Sequence, residues 1–306
     1  MFKHLIVPLD GSRLSEAALP VVIHLAQKLD ATVTLVHVIE KNPPAEIHGE
    51  PHLCQADEAE RYLEDVQRRM FPPGIRVERH VHEAATDDVP GSIAAHAREF
   101  ESDLVVMCTH GRRGGLLKLL FGDIAQKVVA SNVTPVLLIR PAEGGSAAFL
   151  SGRPFLVPLD GTSLRERALP IATALAAACK VDLDVLMVVP TLSTLSGVNT
   201  ASRFLLPATT QEMLDLASKD AEEYVRKLLD GMPAQGAKVT AGVKRGDPAE
   251  VIITEARRLG VDMIIIGTEG KAGMEAFWSS SVANKISSRT HLALLLIPAH
   301  APGASS

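Results

Sequence analysis

Short unbroken apolar runs punctuate the chain. "HLIVPLD" (4–10), "TVTLVHVI" (32–39), "LVVMC" (104–108) and "PVLLIR" (135–140) have the length and branched-residue content of buried strands. "IRVERHVHE" (75–83) reads as a more exposed strand. Between them lie segments with apolar residues on one helical face, such as "ADEAERYLEDVQRRM" (56–70), "VPGSIAAHAREF" (89–100) and "IAQKVVASN" (124–132). Strands alternating with helices predict a parallel, doubly wound α/β sheet. Ligands of such sheets bind beyond the carboxyl ends of the strands, where strand order reverses.

The pattern then repeats. "VPLDGSRLSEAALPVVIHLA" (7–26) and "VPLDGTSLRERALPIATALA" (157–176) share twelve of twenty residues at an offset of 150. Later strands and helices recur in the same order: "VDLDVLMVV", "EMLDLASKDAEEYVRKLL", "KVTAGVKRG", "PAEVIITEARRLG", "MIIIG", "VANKISSR" and "LALLLIP". Two similar α/β domains in tandem follow, at 1–140 and 153–299. A Gly-rich linker spans 141–152 and a frayed tail 300–306. Ser12 and Thr162 suit helix N-caps, and Pro20 and Pro170 predict a bend or a displaced first turn in those helices.

Composition narrows the function. A net charge of −5 offers no footprint for nucleic acid or an anionic membrane. No apolar run approaches the ~20 residues that cross a bilayer, and the amino terminus lacks a signal-peptide pattern. Three scattered cysteines form neither a disulfide framework nor a zinc motif, so a reducing cytoplasm is expected. His48, His52 and Cys54 form one grouping, and His80 and His82 share one face of a strand. No second cluster at zinc-ligand spacing completes either, so no metal site is expected.

The motifs "VPLDGS", "VMCTHGRRGG" and "IIIGTEGKAG" resemble the universal stress protein family, in a tandem two-domain form, over nearly the whole chain. The resemblance implies Rossmann-like five-stranded sheets of order 3-2-1-4-5. It also implies an internal pseudo-dimer through the fifth strands, with a homodimer as a further assembly. Nucleotide-binding members carry G-x2-G-x9-G-[ST] after the fourth strand and an Asp after the first. Such a loop has its own logic. Glycines let backbone N–H groups approach phosphate oxygens, and the next helix N-terminus adds donors and a favourable dipole.

In the second half Gly267 and Gly270 match the first two glycines. Nine residues follow, then Ser280 stands in the third glycine position and Ser281 in the hydroxyl position. A non-glycine residue in a left-handed conformation there costs on the order of 1 kcal/mol, which weakens such a site without abolishing it. The resemblance adds Pro158, Leu159 and Asp160 at the first strand and Val188 facing adenine. The first half is more altered. Asp10, Gly111 and Gly122 match, but Cys108 replaces the first glycine, ten residues separate Gly111 from Gly122, and Asp123 replaces the hydroxyl. A carboxylate there caps the helix where an anion would sit.

Each of these residues also has a plainer role. Asp-Gly is a common turn pair, glycine is the usual turn residue, and Ser281 fits an N-cap. ATP, with Mg2+ accompanying it, is the ligand the resemblance implies, favouring the second half. The alternative is a nucleotide-free scaffold with degenerate loops. The chain has no Walker loop, dinucleotide fingerprint or nucleophile elbow, so at most slow ATP hydrolysis is expected, not an enzyme. The segment 191–210 is long for a connection and is a lid candidate.

Overall fold

The computed structural model describes residues 1–109, 123–131, 134–141, 150–161, 166, 168–195, 206–232, 236–268, 285–286 and 289–298. In the first half β1 (His4–Pro8) leads through α1 (Arg13–Glu16) and α2 (Leu19–Leu29) to β2 (Thr32–Glu40). A small hairpin follows, β3 (Glu46–Ile47) with β4 (Glu50–Pro51). Then come α3 (Ala56–Met70), β5 (Val77–Thr86), α4 (Val89–Glu99), β6 (Leu104–Cys108), α5 (Asp123–Ala130) and β7 (Val136–Ile139). The second half runs β8 (Phe155–Leu159), α6 (Ala168–Cys179), β9 (Leu183–Val189), α7 (Pro207–Gly231), β10 (Val239–Arg245), α8 (Pro248–Leu259), β11 (Met263–Thr268) and β12 (Ala293–Pro298).

The strands build one ten-stranded sheet, in the order β10-β9-β8-β11-β12-β7-β6-β1-β2-β5. Each half therefore has the order 3-2-1-4-5, and the fifth strands β7 and β12 pair antiparallel at the join. The strands of the middle are buried on both faces, which explains their unbroken apolar runs. One core layer packs α2, α3 and α6 against the sheet, and the other packs α4, α5 and α8. Both layers run without a break from one half into the other.

Pro20 displaces the helix start, as its missing N–H requires. Ser12 caps a single turn, α1, with its Oγ 3.2 Å from the Ser15 N–H. The chain then restarts as α2, with Pro20 in the first turn, where a helix needs no donor. Asp103 and Asp262 play matching parts at the starts of β6 and β11. Asp103 accepts from the N–H groups of Lys3 and His4, at 2.7 and 3.1 Å. Asp262 accepts from those of Ser151 and Arg153, at 2.6 and 3.0 Å. Each aspartate ties the beginning of strand one to strand four of its own half. The long connection anticipated over 191–210 is shorter than it looked, because α7 already begins at Pro207. Residues 196–205 lie outside the described residues, and the lid candidate with them.

Candidate functional site

The sheet opens at the same place in both halves. β8 pairs with β11 only at Phe155–Met263 and Leu156–Ile264, after which the two strands part. β1 and β6 do the same after Ile6–Val105. These are the points where strand order reverses, so a crevice forms beyond them. Proline assists the opening. The Leu9 N–H reaches the Val36 carbonyl on β2 at 2.9 Å. Neighbouring residues along a strand aim their N–H groups at opposite edges. The nitrogen of Pro8 therefore faces the β6 side, where no ladder continues and no donor is needed.

Pro158 and Leu159 are buried at the end of β8, so only their backbone is available to a ligand. Asp160 follows and is exposed. Gly161 turns the chain at φ +79°, with the Met187 methyl 3.2 Å from where a Cβ would stand. Val188 lies half-buried near the end of β9. Gly267 is buried inside β11, opposite Ile297 on β12, and β11 extends one residue further to Thr268. The hydroxyl of Thr268 donates to the Ile297 carbonyl at 3.2 Å, and Thr109 has the matching bond to Ile139 at 3.4 Å. Gly111, Gly122, Gly270, Ser280 and Ser281 lie outside the described residues.

Asp10 lies in a more crowded place. Its Oδ1 accepts from the Ser12 N–H at 2.9 Å and the Ser12 hydroxyl at 2.7 Å, closing a local turn. The β3–β4 hairpin then folds over that turn. His48 approaches Asp10 at 3.8 Å. The Glu50 carboxylate accepts from the Arg13 N–H at 2.6 Å, taking a donor at the first turn of the helix. Leu53 lies so close to Gly11 that a Cβ there would stand 2.9 Å from its Cδ1. Cys108, the last residue of β6, is buried in the core layer that also holds Ala17 and Ala18. Burial, with the nearby Asp10 charge adding to it, pushes its thiol up to about 12, so it stays protonated and inert. The hairpin plug carries no sequence periodicity, and the sequence analysis missed it.

His37, on β2 beside this turn, is buried with Nδ1 2.8 Å from the Leu9 carbonyl oxygen. Burial pushes its pKa down, opposed by that backbone contact. It therefore supplies no positive charge for a phosphate at neutral pH. In the second half Tyr224 of α7 donates to Glu166. Burial first, then Glu166 and Asp160, push the phenol above its ordinary range. It is a neutral hydrogen-bonding group near Asp160, unsuited to act as a base.

The family model described as "Universal stress protein family" matches residues 1–140 and 152–298. Universal stress protein MJ0531 of Methanocaldococcus jannaschii is 29% identical over 148 residues, covering 46% of this chain and 83% of that protein. Universal stress protein Sll1654 of Synechocystis sp. is 33% identical over 143 residues, 45% of this chain and 86% of that protein. A crystal structure of a universal stress protein from Archaeoglobus fulgidus DSM 4304 covers 96% of this chain and 95% of its own, with a TM-score of 0.67. At 17% identity that likeness is one of fold.

Proposed function

This chain belongs to the universal stress protein family, and from that premise we propose that its second half binds an adenine nucleotide, ATP by preference, in the crevice between β8 and β11. One contrast carries this reading. The turn after β1 is covered by Leu53 and Glu50, whereas the turn after β8 presents an exposed Asp160, and Gly267 stands in β11 where β6 has Cys108. Asp160 accepts from ribose or base, and the β9 backbone near Val188 lies along adenine. The backbone of Pro158 and Leu159 lines the floor. Gly270, Ser280 and Ser281, with Gly267, take the phosphates, and Mg2+ accompanies them as part of the ligand.

The proposed role is binding in a cytoplasmic stress response, with hydrolysis slow at most. No helix among the described residues is long and apolar enough to cross a membrane. Calorimetric titration of the full chain with MgATP tests the proposal. We expect one site, lost in Asp160→Ala and kept in Asp10→Ala. No heat of binding at millimolar MgATP would sink it and leave the nucleotide-free scaffold standing. A loss in Asp10→Ala alone would place the site in the wrong half.

A further inference from the structure

Strand β5 forms one outer edge of the sheet, far along the strand order from the β8–β11 crevice. It carries His80 and His82 two residues apart, so both rings project from the same face. Helix α4 packs against that face and brings in His96, which is buried. Each of the three histidines offers a ring nitrogen, and these nitrogens lie within 4.8 Å of one another. The sequence pair "HVH" therefore has a third member, supplied by the next helix of the same βαβ unit.

The proton positions follow from the partners. His96 Nδ1 lies 3.0 Å from the Glu99 carboxylate, which places the proton on Nδ1 and leaves a lone pair on Nε2. That Nε2 faces His82 Nδ1 at 3.1 Å. Two imidazole nitrogens on a tetrahedral zinc, each about 2.0–2.1 Å from the ion, stand about 3.3–3.4 Å apart. The observed pair is already near that spacing. His80 Nε2 is buried and has no hydrogen-bond partner among the described residues. Phe100 walls the group, stacked on His96 at 5.3 Å and edge-on to His80 at 5.0 Å.

We propose that His80, His82 and His96 bind one divalent transition-metal ion, with a fourth position open to water or an outside ligand. Three imidazoles without an oxygen ligand suit zinc, cobalt, nickel or copper, and do not suit magnesium or calcium. Glu99 acts through His96, fixing its tautomer and raising its basicity. This site is separate from the nucleotide crevice and stands whether or not that crevice binds ATP.

The test uses the full chain, stripped with a chelator and free of nucleotide, titrated with Co2+ and then Zn2+. We expect one equivalent of Co2+ to raise visible d–d absorption, which Zn2+ then discharges. Glu99→Gln, with far-UV circular dichroism unchanged, is expected to weaken Co2+ binding about 10- to 100-fold. His82→Asn, on the half-buried strand position, is expected to abolish it. Cys54→Ser, in the other histidine–cysteine grouping, is expected to leave the titration unchanged. The proposal is overturned by no stoichiometric uptake in the parent chain, by uptake that survives His82→Asn, or by uptake lost in Cys54→Ser.

Discussion

Leu138 and Leu294 stand opposite each other at the join between the halves, in the one antiparallel pairing of a ten-stranded sheet whose other described pairings are all parallel. The arrangement is what two copies of one α/β unit produce when they meet edge to edge through the same strand. Each fifth strand hides the edge that the other would leave open.

Covalent continuity is therefore not what holds the halves together. Both core layers cross the join, and β7 and β12 are buried along their lengths. A protease site inserted within residues 142–149 and cut in the folded protein is expected to leave the two fragments associated. Size-exclusion chromatography checks this, with both fragments eluting together at the size of the intact chain. Separation under native conditions would show that the linker, not the strand pairing, holds the assembly.

The contrast between the crevices predicts an asymmetric pair of substitutions. Gly267→Cys places in β11 the side chain that Cys108 has in β6, where Asp10 and the Ala18 backbone sense it. An added side chain that crowds the bound phosphates costs about 1–3 kcal/mol, the range for overpacking a filled site. Calorimetry is expected to show MgATP affinity falling at least about tenfold. The reverse change, Cys108→Gly, is expected to create no first-half site, because Leu53 and Glu50 still cover the Asp10 turn. Binding gained by Cys108→Gly would mean that the hairpin is no obstacle.

The fold was legible because two signals agreed. The apolar runs marked the strands, and the repeat at an offset of 150 made each half a check on the other. α3 spans the residues its amphipathic pattern marked, Ala56–Met70. The sites were less legible, because they depend on what folds over a strand end. Leu53 is a single apolar residue just past the β3–β4 hairpin and gives no period to follow. The three-histidine cluster was half visible in His80 and His82. Its third member sits fourteen residues beyond His82 on a helix, as a single histidine and not the second pair that a zinc-ligand pattern would show. Alternating histidines on an edge strand, followed by a histidine on the inner face of the next helix, was the available signal.

Gly11 and Gly152 separate two costs of replacing a glycine. Both have positive φ, +90° and +82°, but a Cβ at Gly152 meets nothing within 4 Å, while at Gly11 it meets Leu53. Gly152→Ala is expected to destabilise by about 1 kcal/mol from backbone conformation alone. Gly11→Ala adds the steric conflict and is expected to cost about 1–3 kcal/mol more. Denaturant unfolding measures the difference, and Leu53→Ala in the Gly11→Ala background should recover part of it. Equal costs at the two glycines would mean that Leu53 does not press on the turn.

Acid should loosen the first half, for a reason traceable to three histidines. Burial lowers the pKa of His24, His37 and His80 from the ordinary value of 6.5, with Lys28 adding to the shift at His24 and Asp262 opposing it. His37 lies near His52 and Asp10, and His80 faces His96 and His82, with Glu99 and Glu60 opposing the shift. When the folded pKa is the lower one, the unfolded chain binds more protons as pH falls through 6.5, so protonation favours unfolding. The contribution is fully present above 6.5 and is lost progressively on acidification, through and below that value. Thermal unfolding of chelator-treated protein is expected to show Tm falling between pH 7 and pH 5, with a smaller fall in His80→Gln. Saturating Zn2+ is expected to raise Tm at pH 7 and to lose that effect toward pH 5, because protons compete with the metal for the same nitrogens. An identical acid drop in the parent chain and His80→Gln would remove His80 from the account and leave His24 and His37 to carry it.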